Sequence, residues 1–322
     1  MQTQTQSKPS SAGSTLILLL TALIWGVAFI PQVEAMDHMG SFTYGGVRFA
    51  MGTIALLPVI LLLERKSGGA KQTRQTLLYG VIAGTVLFIA SNLQQFGIAF
   101  TSSAGKSAFI TGLYIILVPI FGIALRRRPP WLTWLGAISA CVGLYFITLP
   151  KDEPIFSFGG FDRGIVVLLI GACFWALHIL LVDHMASRVK PIRFSVTQFA
   201  VCALLSLASA FLFEKPQFAD IWAGRISLLY GGLFSVGVAY TLQIVGQRRV
   251  EPARAAIIFS LESLFAALAG ALFLKEAMGW KGWLGGGLMF LGIILATCGG
   301  ARSAVPLSDE GCADIPPNPI KS

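Results

Sequence analysis

What this chain has little of is charge. Of its 322 residues only 12% are Asp, Glu, Lys or Arg, against 55% apolar, and the mean hydropathy is +0.74. A soluble domain carries about 25% charged residues, and half of that leaves too little polar surface to cover a globule in water. A polytopic membrane protein is therefore the starting class. Metal and disulfide patterns are lacking as well: the cysteines at 141, 173, 202, 298 and 312 include no C-x-x-C pair, and four of them sit inside apolar runs. No H-E-x-x-H, G-x-x-x-x-G-K-[ST] or G-x-S-x-G occurs. The sequence thus predicts no enzyme, no cofactor and no metal. Gly285-Gly286-Gly287 with Gly292 lies within an apolar stretch and reads as small residues at helix contacts rather than as a nucleotide loop.

What is present in quantity is long apolar segments. They run over Leu16–Gln32, Tyr44–Leu63, Leu77–Thr101, Ser107–Leu125, Trp131–Leu149, Gly164–Val182, Phe194–Phe213, Ile226–Gln247, Ala255–Leu274 and Gly282–Cys298. Each approaches or exceeds the length a helix needs to cross about 30 Å of hydrocarbon, and none alternates with the period of a barrel strand. The prediction is an all-α integral membrane protein of ten transmembrane helices. A tight turn is expected at Thr101–Lys106, because one helix from Leu77 to Leu125 would be about 70 Å long. The first run, though followed by Val33-Glu34-Ala35, reads as a span and not a cleaved signal. Trp131, Trp134, Trp222, Trp280 and Trp283 fall near span ends, as an interfacial belt does, and Asp183 and His184 read as ordinary interfacial residues.

The net charge of +9 is topology before it is a partner. With the N-terminus inside, 16 Lys and Arg fall in the cytoplasmic set of loops and 7 in the opposite set, which places both termini in the cytoplasm. No nucleic acid is needed to account for the excess of base; the partners implied are the lipid bilayer and a small-molecule solute.

The chain also repeats itself. A shift of 149 residues lays Leu93–Thr148 over Leu242–Thr297 without a gap, matching Leu93-Gln94 to Leu242-Gln243, Gly97 to Gly246, Trp134-Leu135-Gly136 to Trp283-Leu284-Gly285 and Gly143 to Gly292. A shift of 150 lays Trp25 on Trp175. The expected organisation is a cytoplasmic N-terminus (1–14), two five-helix repeats (15–149 and 164–298) and a disordered cytoplasmic tail (299–322). With an odd number of helices per repeat, the second copy enters the membrane from the other side. Inverted repeats of this kind underlie alternating access, which favours a transporter over a passive facilitator or an intramembrane lipid-modifying enzyme.

Two stretches carry a family resemblance: Gln94 to Pro119, reading QQFGIAFTSSAGKSAFITGLYIILVP, and Glu251 to Glu262, reading EPARAAIIFSLE. They resemble the two halves of EamA-type members of the drug/metabolite transporter superfamily, and the likeness extends from residue 15 to 298. It implies a ten-helix secondary transporter or facilitator of the inner membrane, often an exporter of amino acids or other small metabolites. Where the family commonly has Glu-Pro in the second half, this chain has Glu262-Ser263, which removes the residue expected to kink helix nine.

Charges within spans are costly and therefore functional candidates. Glu262, about a third of the way into helix nine, either lines or gates the pathway or bonds a neighbouring helix; buried without a cation, it would hold a proton, which suits proton coupling. Arg48 in helix two, Lys106 at the start of helix four and Glu34 at the end of helix one share a depth and form a candidate outer gate. The alternatives are a snorkelling Lys106 and an Arg48 bonded to carbonyl oxygens. Trp25 and Trp175, repeat-equivalent, offer stacking and cation–π contacts to a solute or plain packing. Gln94 and Gln243, also equivalent, must bond a solute, water or a helix. His178, one turn past Trp175, and Tyr114 and Tyr240 complete the candidate pathway.

Overall fold

The computed structural model describes residues 11–63, 70–101, 104–149, 163–273 and 279–302. These residues are helical nearly throughout. Span one is α1 (Ser11–Ala35), span two α2 (Ser41–Leu63) and span three α3 (Ala70–Thr101). Span four is broken into α4 (Ala104–Gly112) and α5 (Tyr114–Ala124); span five is α6 (Trp131–Thr148). In the second half, span six is α7 (Arg163–Ala186) and span seven α8 (Pro191–Phe213), followed by a short surface helix α9 (Phe218–Ala223). Span eight joins α10 (Arg225–Leu229), a π-helical segment (Tyr230–Tyr240) and α11 (Thr241–Gln247). Span nine is broken into α12 (Pro252–Phe259) and α13 (Leu261–Phe273), and span ten is α14 (Trp280–Arg302). Nine of these spans meet the length and hydropathy of a crossing helix, and Trp131–Ile147 is a shorter apolar helix. At about 27 Å, α6 still nearly matches the hydrocarbon core.

The expected turn after Thr101 coincides with the end of α3 and the start of α4 at Ala104; 102–103 lie outside the described residues. α14 continues to Arg302, past Cys298, where the tail was expected to begin; residues 303–322, like 1–10, lie outside the described residues. The expectation of an unkinked helix nine fails. Span nine breaks at Ser260 without proline: the Ser260 hydroxyl donates to the Ile257 carbonyl at 2.8 Å, and the Ser263 N–H reaches back only three residues, to the Ser260 carbonyl at 3.2 Å. A serine hydroxyl that bonds its own preceding turn offers the backbone this alternative.

The two halves pack as an inverted pair, and individual contacts show it. α6 and α14 approach closely at glycines: a Cβ on Gly136 would lie 2.5 Å from the Gly292 carbonyl oxygen, and one on Gly143 would lie 2.5 Å from that of Gly285. Under the 149-residue shift each of these contacts is the image of the other. The axis passes beside Ser139, whose hydroxyl donates to the carbonyl of Leu288 at 2.8 Å, its own repeat mate. Further out, Gly97 packs on Leu168 and Gly246 on Leu18, again images.

Exposure sorts residues as a bilayer requires. Leu16, Ile54, Leu62, Leu204, Phe211 and Leu272 are exposed, whereas Gln32, Arg48, Asn92, Gln94, Gln95, His178, Gln198, Gln243 and Glu262 are buried. In lipid the apolar residues can face outward at no cost, so the polar side chains gather between the helices.

Candidate functional site

Between the two halves lies a partly open cavity of about 490 Å³.

The breaks in spans four and nine place its polar floor. At Leu113 the chain makes three-residue hydrogen bonds, Leu113 N–H to Ile110 O and Ile116 N–H to Leu113 O, and Tyr114 restarts the helix. Glu262 sits in the first turn of α13, where the helix dipole favours a carboxylate. The Tyr114 hydroxyl donates to Glu262 Oε1 at 3.1 Å. Gly26 of α1 makes room there: a Cβ on it would lie 2.5 Å from the Glu262 carbonyl oxygen.

Arg48 occupies another part of the wall. Its guanidinium, only 3% exposed, donates to Gln32 Oε1 at 3.3 Å and lies 4.9 Å and 5.1 Å from the ring centres of Tyr44 and Phe49. Gln32 is itself held by donating to the Ala28 carbonyl, and its own carbonyl accepts from Gln95 Nε2 at 3.1 Å. Arg48 Nε has no partner among the described residues.

Aromatic rings fill the middle, converging on Tyr240. Trp25 meets its ring edge-on at 4.8 Å, and Trp175 stacks on it at 6.2 Å and 15°. Trp25 donates to the Ser235 carbonyl at 3.3 Å, within the π-helical segment. Phe259 closes on Trp25 at 5.4 Å. Other wall groups are left without a hydrogen bond among the described residues: Trp175 Nε1, Thr111 Oγ1 and Gln243 Oε1. Buried polar atoms of this kind are ordinarily satisfied, so the cavity presents several that a solute or water would complete.

Of the candidate pathway residues, Trp25, Gln94, Tyr114, Trp175, Tyr240, Gln243 and Glu262 all reach this wall. His178 does not: it stands behind Trp175 and Tyr240, its Nε2 3.2 Å from Gln198 Oε1. Of the three candidate gate residues, Arg48 and Glu34 have separate partners. Arg48 turns to the cavity, while Glu34 accepts from Ser227 at 3.0 Å; an ion pair forms elsewhere, between Arg127 and Asp183 at 2.6 Å. That pair gives Asp183 a partner beyond the ordinary interfacial role expected of it. The side chain of Lys106 lies outside the described residues. Sequence reasoning missed Gln32, Thr111, Ser235 and Phe259. Gln32 and Thr111 were visible as polar residues in apolar runs, but Ser235 enters through its backbone, which side-chain chemistry does not announce. No group of His, Cys, Asp and Glu able to hold a metal is present among the described residues.

The EamA-like transporter family matches twice, over residues 13–149 and 162–298. An uncharacterized transporter of Archaeoglobus fulgidus is 27% identical, covering 87% of this chain and 84% of its own. The uncharacterized transporter YwfM of Bacillus subtilis is 24% identical, over 87% and 92%. A solved structure superposes with a TM-score of 0.74 at 17% identity, covering 92% of this chain and 100% of its own; it supports the fold alone.

Proposed function

The chain belongs to the EamA-like transporter family, and from that premise we propose that it moves small zwitterionic, amphipathic solutes of the amino-acid kind by alternating access through the central cavity. The observation that carries this reading is the pair of opposite charges in one wall. Arg48 and Glu262 both line the cavity, both are buried, and neither is ion-paired with the other. A buried charge without a counter-charge is costly. A solute with a carboxylate and an ammonium group supplies both partners at once, and the rings of Trp25, Trp175 and Tyr240 take its apolar part.

The inverted repeats supply the movement, since two halves of like construction can close the cavity on either side by exchanging conformations. The loop charges favour an inner-membrane protein with both termini cytoplasmic, for which export is the direction proposed; Glu262 is the group placed to carry a coupling proton.

Reconstituted vesicles test this. A panel of neutral amino acids, the matching amines and the matching carboxylates is offered with and without a proton gradient. Saturable flux of the zwitterions, exceeding that of either singly charged series at least tenfold, is expected. Equal flux of all three series would remove the two-charge reading, and flux that never saturates would favour a passive facilitator.

A further inference from the structure

One contact lies outside the cavity wall and joins the two halves at one end. The carboxylate of Glu214, just past the end of α8, accepts three hydrogen bonds from the start of α2: from Phe42 N–H at 2.8 Å, and from Thr43 N–H and the Thr43 hydroxyl at 2.7 Å and 2.8 Å. The first turn of a helix has no internal partners for its N–H groups and favours negative charge. Here the acid comes from more than 170 residues away, in the other repeat.

The sequence is shaped to bring it there. α8 ends with Glu214 and Lys215 both donating their N–H groups to the Ala210 carbonyl, and Lys215 adopts a left-handed φ of 52°. That conformation normally falls to glycine and costs a side-chain-bearing residue about 1 kcal/mol or more. On the receiving side, Gly40 leaves the space the carboxylate occupies: a Cβ there would lie 2.6 Å from Glu214 Oε1. A second tie crosses between the repeats at the same end, from Ser227 of α10 to Glu34 at the end of α1.

We propose that Glu214 is a releasable latch that holds the first turn of α2 against the other repeat and lets go when the cavity opens on that side. Arg48 lies five residues, about 7.5 Å, along α2 from Thr43. Releasing the first turn of α2 therefore unties one end of the helix that carries the cationic part of the cavity wall. Glu214 is half-buried, whereas Thr43 and Arg48 are buried, so water can reach the carboxylate when it lets go and take over part of its hydrogen bonding.

The test reads access to the cavity and needs no solute, so the latch and the transport reading fail separately. In the full chain, with its five cysteines replaced, Thr111→Cys reports the cavity to an impermeant maleimide added to either side of oriented vesicles. Glu214→Gln keeps the shape and loses the charge; it is expected to raise labelling from the α2 side at least fivefold and to leave the other side unchanged. Thr43→Cys with Glu214→Cys, bridged by a short bis-methanethiosulfonate, is expected to lower labelling from that side at least fivefold, with recovery on reduction. Rates within twofold of the parent for both variants overturn the latch. So does equal acceleration from both sides, which is general loosening.

Discussion

Arg48 and Glu262 face the same space but are satisfied differently. Glu262 accepts from Tyr114, a neutral donor, and Arg48 donates once to Gln32 while its Nε goes unpaired among the described residues. Arg48 is thus the group with most to gain from an anionic ligand, because a guanidinium grips a carboxylate through two parallel N–H bonds. Arg48→Lys keeps the charge and loses the fork. It is expected to raise the KM for zwitterions by roughly ten- to a hundredfold, the worth of a charge-assisted hydrogen bond of about 1.5–3 kcal/mol, with amine flux unaffected. Concentration-dependent uptake of both series checks this, and equal losses in the two would deny Arg48 the carboxylate. Glu262→Gln keeps an acceptor for Tyr114 and cannot carry a proton. It is expected to leave the protein folded but to abolish any response of flux to an imposed proton gradient, so an unchanged response would assign coupling elsewhere. At this scale the sequence was readable where a polar residue interrupts an apolar run, as at Arg48, Gln94, Gln243 and Glu262. It was not readable where partners are set by packing: Glu34 and Arg48 share a depth, yet one turns to Ser227 and the other to Gln32.

Helices in lipid gain nothing from apolarity alone, so their association depends on how closely backbones approach. The α6–α14 crossing is the clearest case: its glycines were legible as small contact residues and as repeat mates, but not which two helices they join. Gly136→Ala puts a methyl group 2.5 Å from a backbone oxygen and 3.2 Å from the Ala296 Cβ, and neither can step aside without moving a helix. A loss of about 1–3 kcal/mol, read as a lowered thermal unfolding midpoint in detergent, is expected. Gly287→Ala is the control on the same helix, since nothing lies within 4 Å of a Cβ there; it should be neutral or slightly stabilising. Helix breaks were less legible. Proline was the expected signal in span nine, and its absence pointed to a continuous helix, whereas Ser260 interrupts it through its own hydroxyl. The break at Leu113 has no proline either, and the π-helical stretch of span eight carries no composition that distinguishes it from an α-helix. Ser263→Pro falls within the first turn of α13, where proline is tolerated. It is expected to fold and transport like the parent, and a collapse in expression or thermal midpoint would show that the Ser263 N–H is needed where it stands.

Handedness of insertion belongs to the whole molecule, and it turns on whether α6 crosses. Its 18 residues are fewer than those of most other spans, and if it lay on the surface the second half would enter from the same side as the first and the repeats would be parallel. Several contacts oppose that. α6 packs along α14 through two glycine pairs that are images of one another, and Ser139 meets its own repeat mate at Leu288. A two-fold relation of this kind needs both helices to run through the same slab in opposite directions. The prediction is ten crossings, with residues 1–10 and 303–322 on one side and residues 150–162 on the other. Single cysteines introduced at Ser7, Ser157 and Asn318 in a cysteine-free chain, labelled in intact cells with an impermeant maleimide, decide it. Labelling of Ser157→Cys alone is expected, since the excess of Lys and Arg in alternate loops favours a cytoplasmic position for both ends. Labelling of Asn318→Cys without Ser7→Cys would mean an odd number of crossings, and the inverted relation on which alternating access depends would fall with it.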